Sequence, residues 1–187
     1  VEKEVSDLVN QYATEDGSGL SNESIDKILS EFEKSSGGEF VLPEVPAVDI
    51  QVVNSVSVEQ YLKQVDQIVS KNMYFEDASA FQTLMSQLVN ADKRQIEDAK
   101  LVFDQTYADL KDVSLPQAGA DFHKKALGFT KGISQILEEM KNTHNNDNID
   151  SFMKAFVKLK SVPAVFFTLS QDFMALAQAH NVDISKF

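Results

Sequence analysis

Apolar residues along this chain recur mostly three or four positions apart, the spacing that lines one face of an α-helix. Val5, Leu8, Val9 and Tyr12 set such a face at the start, and Asp16-Gly17-Ser18-Gly19 interrupts it. Ser21 or Asn22 can cap a second helix to about Ser36, with Ile25, Ile28, Leu29 and Phe32 on one side, and Gly37-Gly38 ends it. From Gly37 to Ser57 the pattern changes. Pro43 and Pro46 disfavour helix, and Val48, Ile50 and Val52 alternate with polar residues, which predicts an extended linker.

Ser57, followed by Glu59 and Gln60, opens the main helical block, with Val58, Leu62, Val65 and Val69 on one face and Tyr61 and Ile68 widening it. A turn is expected near Tyr74-Phe75-Glu76-Asp77. Phe81, Leu84, Met85 and Leu88 then form one stripe, and Ile96, Ala99, Phe103, Thr106 and Leu110 another, as two helices or as one kinked helix. Ser114-Leu115-Pro116 is a restart signal, because proline is preorganised for a first helical turn. Phe122, Ala126, Phe129, Ile133, Ile136 and Met140 follow at alternating spacings of four and three, the seam of a bundle helix, with Gly128 and Gly132 allowing a close neighbour.

After the polar tract Asn142–Asn148, Phe152, Phe156 and Leu159 set one phase, while Val162, Phe166, Leu169, Phe173 and Leu176 set another. The slip falls at Pro163, where a break or sharp kink is expected. The pattern therefore predicts an all-α protein, a bundle of about six to eight helices with an extended N-terminal linker and peripheral N-terminal helices. Residues 1–45 are expected to form a helical arm or tether and residues 46–187 the bundle domain. Phe129, Ile133 and Phe156 are predicted core positions.

Composition sharpens this picture. The 187 residues suit one packed domain, and 13 Phe with no Trp imply a phenylalanine-rich core. A formal net charge of −12 repels phosphates and anionic headgroups, so nucleic acid is not an expected partner. The absence of cysteine excludes disulfides, thiolate metal sites and cysteine nucleophiles. No stretch reaches the ~20 apolar residues of a membrane span. The chain begins at Val1 rather than Met, which points to a removed N-terminal segment, such as an export signal or membrane anchor.

No catalytic motif emerges from the residues that could carry one. His123, His144 and His180 lie on separate segments, and none belongs to an arrangement placing two ligands on one helix face. His123, beside the seam residue Phe122, is expected to be a structural or surface histidine. With Gly19 at the turn of an EF-hand frame, Ile25 would fall where a bidentate Glu is required. No Glu has a His three residues later, so Glu138-Glu139 reads as a solvated face rather than half of a di-iron site. Gly17-Ser18-Gly19 has neither the spacing nor the strand of a serine nucleophile elbow. The reading is non-enzymatic, with no catalytic, cofactor-binding or metal-binding residue assigned and no cofactor expected. The C-terminal helix is apolar nearly all round for two turns, which reads first as a helix buried on several sides and otherwise as a partner-binding or self-association face, with Phe166, Phe167, Phe173 and Met174 the candidate partner surface.

From Pro46 to Met140 the layout resembles uncharacterised membrane-anchored helical proteins of candidate-phyla bacteria. The matching features are Val48-Asp49-Ile50-Gln51-Val52-Val53, the restart Ser57-Val58-Glu59-Gln60-Tyr61, the Leu115-Pro116 break, and His123 followed by Leu127. The resemblance implies an extracytoplasmic bundle held by an anchor outside this chain, and it brings no activity. The favoured expectation is an extracytoplasmic structural or protein-interaction module that binds a protein partner or self-associates. The alternative is a binding protein for an apolar ligand or lipid between phenylalanine-lined helices.

Overall fold

A computed structural model describes residues 40–73, 88, 92–143 and 149–187. Among them the protein is mostly helical, as expected of an all-α chain, and its frame is four α-helices: α1 (Val58–Met73), α2 (Lys93–Lys111), α3 (Ala120–Thr143) and α4 (Ile149–Ala179). The expected helices before Gly37, the turn near Tyr74, most of the stripe Phe81–Leu88 and His144 lie outside the described residues, so four is the number of α-helices described there against the six to eight anticipated.

Local sequence explains where α1 and α2 begin. Ser57 Oγ accepts from the Gln60 amide at 3.1 Å while Gln60 Oε1 accepts from the Ser57 amide at 3.2 Å. The same reciprocal cap recurs at Asp92 and Gln95, both bonds 2.8 Å, with Asp92 in extended backbone. These reciprocal bonds satisfy amides that the first helical turn leaves without partners. The cap at Asp92 also rules out one kinked helix running from Phe81 to Lys111.

After α2, Ser114–Leu115 forms a two-residue strand, β2, parallel to β1 (Gln51–Val52). A 3-10 turn over Gln117–Gly119 follows, so α3 starts four residues beyond Pro116 rather than at it. Gly119 is required there, since a Cβ on it would lie 2.7 Å from Tyr61 Cε1.

α3 is the central helix and packs against both α2 and α4. Its predicted seam is buried or half-buried throughout, and Leu127 and Leu137 add a second buried face that the seam did not include. Phe129, Ile133 and Phe156 are all core residues. Residues 40–46, two prolines among them, have no regular secondary structure and cross α3 where Gly128 and Gly132 leave room. A Cβ on Gly132 would stand 2.5 Å from the Phe40 ring, and one on Gly128 3.2 Å from the Pro43 carbonyl oxygen. Phe40 and Val45 are buried, so these residues, grouped with the arm by the sequence pattern, pack in the core of the bundle. Farther along the linker, Asp49 accepts from Tyr107 Oη at 2.6 Å and pairs with Lys111 at 2.9 Å, which holds it to α2.

Of the break or sharp kink expected at Pro163, a break does not occur. α4 runs through it without interruption. The proline removes one helical hydrogen bond, but Leu159 and Val162 before it and Leu169 after it are buried in the same core. Burial on both sides holds the helix together across the defect.

The core itself is in two parts. One gathers around Phe103, Phe129, Ile133, Leu137 and Phe156, the other around Tyr61, Leu62, Leu110, Leu115 and Leu127.

Candidate functional site

At the junction of these two clusters the packing is incomplete. A cavity of about 360 Å³ opens there, lined by all four helices. α1 contributes Val65, Asp66, Val69 and Met73, α2 contributes Thr106 and Leu110, and α3 contributes Phe122, Ala126, Phe129 and Thr130. Phe166, Leu169, Ser170, Phe173 and Met174 come from α4. The volume falls at the small end of the ~300–1,000 Å³ range of small-molecule sites.

Its walls are aromatic in pairs. Phe122 meets Phe173 with ring centroids 5.8 Å apart, and Phe129 meets Phe166 at 5.9 Å. The hydroxyls on its lining are turned back to their own helices. Thr106 donates to the Val102 carbonyl at 2.8 Å, Thr130 to those of Ala126 and Leu127 at 3.2 and 3.1 Å, and Ser170 to that of Phe166 at 3.0 Å. While these bonds hold, each hydroxyl keeps only its acceptor capacity for a ligand. Among the described residues Asp66 is the one ionisable side chain on the lining.

The structure divides the predicted partner surface. Phe166 and Phe173 are half-buried and, with Met174, line the cavity, whereas Phe167 does not line it and is 59% exposed. Met174 is 46% exposed at the cavity's edge. The features missed by sequence reasoning are the contributions of α1 and α2, above all Asp66. A signal was present at Ala126, the one small residue in an otherwise bulky seam, which leaves space opposite a helix rich in Phe.

His123 lies beside this site but takes no part in its lining. It is fully buried, with its ring packed edge-on to Tyr61 and Nδ1 3.2 Å from the Tyr61 hydroxyl. Burial pushes its pKa down to about 4, only partly offset by the Leu110 carbonyl, so the ring is neutral near pH 7. Tyr61, itself pushed upward by burial, stays protonated, and its hydroxyl hydrogen-bonds Nδ1 in the direction that the imidazole tautomer sets. Nε2 makes no hydrogen bond of normal geometry. A buried neutral pair with no access to solvent braces the α1–α3 contact and is unsuited to proton transfer with a substrate. His180 is exposed in the turn after α4.

Several of the other charged groups pair with one another. Glu138 bonds Lys141 at 3.1 Å and lies 3.7 Å from Lys100, and Glu139 bonds Lys158 at 2.9 Å, so this expected solvated face bridges neighbouring helices. Asp104 takes hydrogen bonds from Lys100 at 2.6 Å and from Ser134. Burial acts to raise its pKa, but these contacts outweigh burial and hold it low. A second cavity, of about 460 Å³, lies between α1 and the end of α2 and includes Lys71, Asp109 and Asp112. There the Asp109 carboxylate is engaged by Asn72 at 3.0 Å, Gln105 at 2.6 Å and Lys71 at 3.5 Å. Among the described residues no three His, Asp or Glu side chains converge as a metal site, and no helix is long and apolar enough to cross a membrane. The chain matches no protein-family model, and no curated protein and no solved structure is detectably similar to it.

Proposed function

We propose that this protein is a non-enzymatic binding protein for a small apolar or lipid-like ligand held between its four helices. The observation that supports this is the phenylalanine-walled cavity at the junction of the two core clusters. Protein interiors are normally packed to crystal-like density, and a gap of this size lined mainly by apolar side chains gains stability when an apolar guest fills it. This reverses the order expected from sequence, in which the interaction module came first. The interaction reading keeps one observation of its own, the exposed Phe167, which offers an apolar contact to a protein partner or a second copy. The extracytoplasmic setting and the anchor outside the chain belong to the same proposal and rest on the sequence resemblance.

Filling the cavity from within tests the reading. Ala126→Phe adds a ring to a lining position, so its melting temperature is expected to match or exceed that of the parent. Saturable binding of 1-decanol, measured by calorimetry on the parent, is expected to disappear in the variant. Undiminished decanol binding by a folded Ala126→Phe protein would place the ligand elsewhere and remove the proposal.

A further inference from the structure

Resting on that cavity reading, we propose that the ligand carries a positively charged ammonium centre on its apolar body, recognised by Asp66. The described lining residues offer acceptors and no free side-chain donor. Thr106, Thr130 and Ser170 have each given their proton to a backbone carbonyl. No Lys, Arg or His is among the described lining residues. A carboxylate or phosphate head would meet no donor there and would face the Asp66 charge, so fatty acids and phospholipid headgroups are disfavoured.

An ammonium group fits every element of the same lining. Asp66 is half-buried and forms no ion pair with any described residue. It therefore supplies an unneutralised negative charge to the cavity. The paired rings of Phe122 with Phe173 and Phe129 with Phe166 line the same cavity as Asp66, and a cation is attracted to aromatic rings. A carboxylate, aromatic walls and acceptor-only hydroxyls together select an amphiphilic amine over a neutral or anionic amphiphile of equal chain length. The net charge of −12 concentrates such cations near the protein without specifying where they bind.

The test compares decylammonium, 1-decanol and decanoate by calorimetry at neutral pH, below their aggregation limits. The parent protein is set beside Asp66→Asn and Asp98→Asn. Asp98 is exposed on α2 and is not on the cavity lining, so its variant changes net charge equally and controls for long-range attraction. Decylammonium is expected to bind tightest and decanoate weakest. Asp66→Asn should weaken decylammonium roughly fivefold while leaving decanol unchanged, which also shows that the variant is folded, and Asp98→Asn should have little effect. Equal binding of decylammonium and decanol by the parent, the same loss in both variants, or preferred binding of decanoate would overturn the ammonium proposal and leave the cavity reading standing. If none of the three binds the parent, or Ala126→Phe leaves their binding intact, the cavity reading fails and this inference falls with it.

Discussion

His123 shows how one buried residue ties stability to pH. Its folded pKa near 4 lies below the ordinary 6.5 because burial penalises the imidazolium. Between those values the unfolded chain binds more protons than the folded one, so stability is fully present above about pH 6.5 and falls as pH drops toward 4. A change from pH 7 to 5 is expected to cost on the order of 2 kcal/mol from this group alone. The carboxylates with lowered pKa, Asp104, Asp109 and Glu138 among them, lose their contribution only at lower pH, so this window isolates the histidine. Urea denaturation at the two pH values should therefore show a drop that His123→Gln flattens, since the amide can still hydrogen-bond Tyr61 without titrating. An equally steep drop in the variant would assign the effect to another group.

At the scale of elements, the stripes read from sequence match the packed faces of α1 and α2 closely. Leu62, Val65, Ile96, Phe103, Thr106 and Leu110 are all buried where the spacing put them. Periodicity succeeds there because each helix has one wet and one dry side. At Pro163 the helix is unbroken because α4 contacts the core along both phases of its apolar pattern, and tertiary burial outweighs one missing hydrogen bond. The cavity was legible only as a preference for phenylalanine and as the small Ala126 in an otherwise bulky seam. Spacing identifies which face is apolar, but whether four such faces meet without a gap depends on side chains more than a hundred residues apart, such as Val65 and Phe173.

The end of α4 also escaped the pattern. Asn181 has φ 54°, and the Val182 amide reaches back to the Ala177 carbonyl at 2.9 Å while the Asn181 amide reaches that of Gln178 at 3.2 Å. This is the Schellman arrangement, which places one left-handed residue after the helix. Val182 then packs in the same cluster as Ala177 and anchors the C-terminal turn. A β-branched side chain cannot adopt that backbone without strain, so Asn181→Val should lower stability by about 1–2 kcal/mol, whereas Asn181→Gly should be close to neutral. Equal urea midpoints for the two variants would show that the left-handed turn carries no such constraint.

At the scale of the whole molecule, the segment 40–45 links the linker to both layers on either side of it. Phe40 packs edge-on against Phe129, with centroids 6.2 Å apart, and its amide donates to Ser161 on α4 at 2.8 Å. Lys131 on α3 donates to the Glu44 carbonyl at 3.0 Å. The segment therefore joins α3 to α4 from outside and closes the larger core cluster, and its seat exists because Gly132 has no side chain. Phe40→Ala is expected to cost about 3–5 kcal/mol, as for other buried phenylalanines. Gly132→Ala should cost about 1–3 kcal/mol, because its methyl would overlap the Phe40 ring and the rigid Pro43 beside it. The two costs have one contact in common. Once the ring is gone, the Gly132 methyl occupies part of the space it left, and the double variant should be more stable than the sum of the single losses predicts by at least about 1 kcal/mol. Strict additivity across this cycle, read from urea midpoints with unchanged slopes, would mean that the segment is not seated on Gly132 and that the bundle closes without it.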